Sequence, residues 1–319
     1  MNLNKFVIHI KLMYFRFIIF FLILIQSASA SAQQSDTAKW LLKPVEKFLN
    51  LSPDINFGEV SGVAQNSKGH TFVFNRGPHP LIEFDNKGNF VRYLVEGLIK
   101  ISHGIRIDSK DNIWLTDVGS HLVLKLNPNG NIIMVLGKSN IPGEWDKNTQ
   151  TLLFNKPADV GFGSNGNIFI TDGYGNSRVI KLDKNGKFLK AWGSKGNEKG
   201  QFNIPHAVVI DDSGLVYIAD RENKRIQIFD QEGNLVKIWT HIGSPYGLDL
   251  SKKQEIFLTD GVANRILKLD LNGNILGTYG TSGKAAGQFS MPHGIIVTST
   301  GEIMVAEISN WRIQKFSEK

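Results

Sequence analysis

Residues 200–229, GQFNIPHAVVIDDSGLVYIADRENKRIQIF, decide the fold. They predict a loop holding His206, a strand over 208–211, a tight turn at 212–214 and a second strand over 215–219. A polar turn at 220–224 and a third strand over 225–229 follow. Near-strict alternation and β-branched residues argue for strands, not helix. Residues 231–233 then turn the chain into a fourth strand over 234–239. One small antiparallel sheet of this kind cannot cover both of its faces, so it needs copies of itself.

The copies are present. The segment PHAVVIDDSGLVYIADRENKRIQIF recurs as SHGIRIDSKDNIWLTDVGSHLVLKL from Ser102 and PADVGFGSNGNIFITDGYGNSRVIKL from Pro157. It recurs again as PYGLDLSKKQEIFLTDGVANRILKL from Pro245 and PHGIIVTSTGEIMVAEISNWRIQKF from Pro292. A degenerate copy, VSGVAQNSKGHTFVFNRGPHPLIEF, starts at Val60. Repeats spaced by roughly 40 to 55 residues are the sequence mark of propeller blades. The expected fold is therefore all-β, a six-bladed β-propeller over residues 60–319. The last copy ends at Phe316 without a fourth strand, so residues 33–59 are expected to supply an arm and the strand that closes the ring. Asn129-Gly130, Asn185-Gly186 and Asn272-Gly273 provide the positive-φ residues that tight hairpins need. An insertion over 138–154, with Pro142, Gly143 and Trp145, breaks the regular spacing and is expected on the binding face.

The N-terminus carries Lys5, Lys11 and Arg16, an apolar run over 17–25, and small residues from Ser27 to Ala32. That is the layout of a signal peptide, so residues 1–32 are expected to be removed and the rest exported to a periplasm or the medium. The apolar run is too short to span a bilayer, and no stable membrane insertion is expected after cleavage. The alternative is an uncleaved anchor that also uses residues 7–10. Without cysteine the exported chain has no disulfide. The net charge is +7; without the three leader cations, 33 basic residues face 29 acidic ones. The remaining basic residues are spread along the repeats, which gives no nucleic-acid footprint.

Repeats agree for structural reasons, so chemistry is sought where they differ. The position just before each first strand reads Ser61, His103, Ala158, His206, Tyr246 and His293 in blade order. Histidine in alternate blades of a six-fold ring converges on one mouth of the axial channel. Three imidazoles around an open fourth position suit a catalytic zinc, although imidazole also serves other first-row metals. Arg76 and Arg221 follow the end of the second strand in blades 1 and 4, which face each other. Two guanidiniums beside a metal point to a carboxylate-bearing or oxyanionic substrate. Tyr174, on the Gly-flanked turn DGYGN, is a candidate functional phenol. The acid ending most second strands (Asp117, Asp172, Asp220, Asp260) is expected to cap its turn. His79 and His121 are expected near the site as supporting residues, and His70 and His241 at the surface.

These residues carry a resemblance. The stretches SHGIRIDSKDNIWLTDVGSHLVLKL, DGYGNSRVIKLDKNGKFLKAWG, GQFNIPHAVVI and FSMPHGIIV resemble the peptidyl-α-hydroxyglycine α-amidating lyase family, built on six NHL-type blades. The resemblance implies a catalytic zinc on His103, His206 and His293. It implies Tyr174 as general base with its pKa lowered by nearby cations, Arg76 and Arg221 as carboxylate-binding residues, and Met291 beside the metal. The implied reaction cleaves a substrate with an α-hydroxyglycine end to the amide and glyoxylate. The family also holds a calcium, whose backbone contacts match Val63 and Ile105. Gly294 stands where that ion's aspartate is expected, and a hard cation without its carboxylate is poorly held. The animal members' disulfides are absent, and no oxygenase domain lies on this chain. Two other readings of the same ring are a different metal-dependent hydrolase or lactonase, and a non-catalytic propeller that binds a peptide or glycan.

Overall fold

The computed structural model describes residues 40–144 and 152–318. The leader-like residues 1–32 and Trp145 lie outside the described residues. Six four-stranded antiparallel sheets follow one another along the chain, as the repeats predict. Blade 4 is representative: Pro205–Ile210, Val216–Asp220, Arg225–Phe229 and Leu235–Trp239. Blade 6 contains Pro292–Val297, Ile303–Glu307 and Arg312–Glu318, and takes its outer strand from Leu42–Pro44. Leu42 pairs with Glu318 and Pro44 with Phe316, which joins the two ends of the ring. The first strand of each blade packs on the first strand of the next, and that of blade 6 packs on that of blade 1. The first strands are therefore innermost.

Each hydrophobic cluster fills one interface between neighbouring blades. The one between blades 4 and 5 gathers Tyr217, Ile226, Ile228 and Trp239 against Leu248, Leu258 and Leu267. The one between blades 3 and 4 sets Phe169 and Val179 against Phe202, Val208 and Phe229. Since every blade has a neighbour on both sides, the second strand of every blade is buried along its whole length. Among the described residues no helix is long and apolar enough to cross a membrane.

A polar lock repeats at the mouth. The side chain that ends the second strand accepts the backbone N–H of the loop leading into its own first strand. Asp117 receives Lys100 and Ile101, Asp172 receives Asn155, Asp220 receives Asn203 and Asp260 receives Ser244. Asn75 and Glu307 do the same for Gly58 and Ser290. In blades 3 to 6 an arginine that opens the third strand pairs with this acid: Arg178, Arg225, Arg265 and Arg312. The expected turn caps are thus also ties that fix the mouth loops.

Candidate metal centre and active site

The three histidines do not lie in loops before the strands. His103, His206 and His293 lie within the strands Ser102–Ile107, Pro205–Ile210 and Pro292–Val297. Each occupies an irregularity in the pairing with the second strand, between Ser102 and Ile105, Pro205 and Ala207, and Pro292 and Ile295. A bulge re-aims a side chain, and here it turns each imidazole toward the axis. The ring centroids lie 4.7, 4.8 and 4.8 Å apart. All three side chains are buried.

Their outer nitrogens fix the tautomer. His103 Nδ1 donates to Ala158 O at 2.7 Å, His206 Nδ1 to Tyr246 O at 2.7 Å and His293 Nδ1 to Ser61 O at 2.6 Å. A carbonyl can only accept, so each Nδ1 carries the hydrogen and each Nε2 offers a lone pair. Ser61, Ala158 and Tyr246 are the same register position in the odd-numbered blades. Each histidine is thus oriented by the neighbouring blade's backbone, the support usual for a metal-ligating imidazole. The alternation of His and non-His at this register was the available sequence signal for that role.

The inner nitrogens are crowded. His103 Nε2 and His206 Nε2 lie 3.1 Å apart, and the ligand atoms of all three histidines lie within 4.8 Å of one another. The Tyr174 hydroxyl, 3.0 Å from both His103 Nε2 and His206 Nε2, has one hydrogen to offer. Protonation does not relieve the crowding. Burial and the other imidazoles push His103 and His206 well below the usual histidine range, and burial takes His293 down to about 3. Three lone pairs facing one point without a proton suit a cation, and neutral imidazole is the form that ligates one.

The depressed values set a pH dependence. Between about pH 3 and 6.5 the unfolded chain's histidine binds a proton that native His293 does not, so native stability falls as pH falls through this window. In the metal-free protein the slope is expected to be shallower for His293→Gln than for wild type, by up to about 1.4 kcal/mol per pH unit. Urea unfolding midpoints at several pH values check this, and parallel slopes would contradict it.

Tyr174 lies in a single helical turn, Gly173–Asn176, which follows the blade 3 strand ending at Asp172. Both flanking glycines are needed for close approach. A Cβ on Gly173 would lie 2.0 Å from Pro205 O, and one on Gly175 would lie 2.1 Å from the Asn155 side chain. Arg221 Nη1 donates to the Tyr174 hydroxyl at 3.0 Å. The guanidinium lies 5.3 Å from the Tyr174 ring and 4.8 Å from the Tyr246 ring, in the range of cation–π contact. Here the sequence expectation needs correction. The Tyr174 phenol is raised above its usual pKa, because burial outweighs the lowering effects of Arg221 and Arg76.

Arg76 flanks the triad together with Arg221, and both help to depress His103 and His293. Arg76 Nε donates to Ser102 O at 3.2 Å, and its Nη1 pairs with Glu59 at 2.6 Å. Arg221 Nε pairs with Glu222 at 2.8 Å. Met291 sits in the loop before His293 with its side chain exposed, and its N–H donates to Asn264 Oδ1 at 2.8 Å. Val63 and Ile105 are buried in the first strands of blades 1 and 2.

The supporting histidines separate. His121 Nδ1 accepts the Lys156 N–H at 3.1 Å, and Lys156 O receives the Tyr174 N–H, so His121 braces the segment behind Tyr174. His79 does not support the site: it stacks on Tyr93 at 3.7 Å and pairs with Glu96. His70 is half-buried against Glu83, not a free surface residue. His241 donates to Gly273 O at 2.7 Å. Tyr246, whose ring lies 5.3 Å from His206 and 5.9 Å from His293, is a site residue that the sequence reading passed over. The described ends of the 138–154 insertion lie on the mouth side. Asn140 N–H bonds Ser120 O, and Asn176 Nδ2 donates to Gly143 O.

The fold and site define an NHL-type six-bladed propeller with a buried three-histidine centre. The NHL-repeat family profile matches residues 154–182 and 202–229. The chain is 32% identical to human NHL repeat-containing protein 3, over 83% of this chain and 81% of that protein. It is 34% identical to a probable peptidyl-α-hydroxyglycine α-amidating lyase of Caenorhabditis elegans, over 56% of this chain and 57% of the worm protein. It is 31% identical to peptidyl-glycine α-amidating monooxygenase A of Xenopus laevis, over 83% of this chain but only 32% of that protein. The chain thus spans about a third of the frog protein and little more than half of the worm lyase. A streptogramin B lyase structure shares the fold, with a TM-score of 0.61 at 17% identity over 90% of this chain and 100% of that one. The chain belongs to the NHL-repeat propeller family that includes the peptidyl-α-hydroxyglycine α-amidating lyases.

Proposed function

We propose that this chain is a zinc-dependent lyase that splits peptidyl- and other N-acyl-α-hydroxyglycines into the amide and glyoxylate. One observation carries the reading: three buried Nε2 lone pairs, the Tyr174 hydroxyl and the Arg221 guanidinium meet in one mouth. The lyase names among the relatives direct it to this reaction. Zinc held by His103, His206 and His293 would act as a Lewis acid on the substrate's hydroxyl or carboxylate oxygen.

The chain's own residues do the rest. Arg76 and Arg221 bind and orient the carboxylate. Both are held near the mouth by exposed glutamates, which the substrate's carboxylate can displace in a partly solvated setting. Tyr174 takes the proton from the substrate hydroxyl. The hydroxyl oxygen's electrons then form the aldehyde carbonyl of glyoxylate as the carbon–nitrogen bond breaks. The departing nitrogen receives the proton back from Tyr174 and leaves as the amide. Burial outweighs the Arg221 hydrogen bond and keeps the phenol above its usual pKa, so this role would need the added positive charge of a cation held at the triad. The leader-like residues 1–32 support placing this activity outside the cytoplasm.

Tyr174→Phe is expected to keep its metal and to lose about 10²- to 10⁴-fold in kcat. Glyoxylate release from α-hydroxyhippurate measures this, and full turnover by the variant would remove Tyr174 from the proton-transfer role. The likeness to NHL repeat-containing protein 3, whose name states no activity, favours a second reading, a ring that only binds its ligand. That reading predicts no glyoxylate from the wild-type protein.

A further inference from the structure

The resemblance that implies zinc also implies a calcium beside it, and the residues present do not fit that ion. A chamber of about 30 Å³ on the axis is lined by Val63, Ile105, Arg106, Asp159 and Gly294 together with the three histidines. Gly294 offers no carboxylate. A Cβ built there would lie 3.0 Å from Gly62 Cα and 3.1 Å from Ser61 O, so an aspartate would force the blade 1 backbone to give way. The chamber already holds a cation, the guanidinium of Arg106. Its Nε and Nη2 donate to the two Asp159 oxygens at 3.0 and 2.6 Å, Nη2 also to Leu248 O at 2.7 Å, and Nη1 to Asp249 at 3.4 Å.

We propose that Arg106 is a built-in replacement for a divalent cation, a fixed positive charge that ties the inner strands together beneath the triad. The ties reach far round the ring. Arg106 belongs to blade 2, Asp159 to blade 3, and Leu248 and Asp249 to blade 5. Asp159 also accepts Val208 N–H of blade 4 at 3.1 Å, and Asp249 accepts Val297 N–H of blade 6 at 2.7 Å. One largely buried cluster thus joins five of the six first strands, including all three that carry a histidine. A divalent ion added here would meet the guanidinium's like charge. The arginine's planar fork gives bidentate geometry to Asp159 that a point charge could not reproduce. The brace is independent of the reaction carried out above it.

The test is thermal unfolding of the whole zinc-loaded protein with and without millimolar calcium chloride. Wild type is expected to show the same Tm in both. Arg106→Ala leaves Asp159 and Asp249 without their countercharge, and its Tm is expected to fall by about 5–9 °C. Calcium is expected to restore much of that loss by binding the two carboxylates. A wild-type Tm that rises by several degrees with calcium overturns the proposal, as does an Arg106→Ala variant as stable as its parent or one that calcium does not restore. Should that variant fail to fold, the wild-type comparison still decides. Arg106→Lys, with a point charge in place of the fork, is then expected to fold with an intermediate Tm, and a Tm equal to wild type would contradict the role of the fork.

Discussion

On the proposed zinc-lyase reading, His206→Ala is expected to abolish metal binding and to lower kcat/KM by about a thousandfold. Three neutral nitrogens facing one point are the smallest protein ligand set that holds a catalytic zinc with an open position, and removing one leaves two. The lost Lewis acidity is worth several kcal/mol of transition-state stabilisation, about tenfold in rate for each 1.4 kcal/mol. The fold has room for the change, because blade 3 carries Ala158 at the same register, buried and well packed. The variant should therefore stay folded, with near-native circular dichroism, while metal analysis shows the loss. A variant that kept one equivalent of metal and full turnover would place the metal elsewhere.

Asp172→Ala is expected to cost about 3–5 kcal/mol of stability, because it leaves a buried guanidinium without its carboxylate. Asp172 and Arg178 are both fully buried and lie 2.8 Å apart. The same carboxylate receives Asn155 N–H at 2.8 Å and Asn176 Nδ2 at 2.7 Å, so it anchors the turn that carries Tyr174. Burial pushes the Asp172 carboxyl up, against the pull of Arg178, and that desolvation is already borne by the native fold. Removing the acid therefore forfeits the compensation and keeps the cost. A fall of about 5–9 °C in Tm is expected, together with lower turnover from a displaced phenol. Asp212→Ala is the control, an exposed turn acid expected to change stability by about 0.5 kcal/mol or less. Equal melting temperatures for the two variants would contradict the assigned role of the buried pair.

The ring was legible in the sequence because each blade repeats one pattern of turn and strand. The third strand of blade 4 is observed where the pattern predicts it, at Arg225–Phe229. The triad was legible for the same reason, since His103, His206 and His293 share a register that a repeat alignment exposes. What the pattern could not carry is hydrogen-bond register. A bulge adds a residue without altering composition, so the pattern places His206 in a loop whereas it lies within a strand. Alternation also understated burial, because middle strands clamped between two blades lose their exposed face. The Tyr174 expectation counted the cations and missed the burial. Arg106 and Asp249 lie 143 residues apart, and only closure of the ring brings them together. His79 shows the opposite failure: a turn position near the mouth, but a side chain turned to Tyr93 and Glu96.

The most direct test of the account is one preparation of purified protein assayed for bound metal and for glyoxylate released from α-hydroxyhippurate, before and after chelator treatment. The account predicts about one equivalent of zinc, glyoxylate formed at a rate proportional to it, and loss of both on stripping with recovery on adding zinc back. Intact protein with no bound metal, or zinc-loaded protein that forms no glyoxylate, would contradict it.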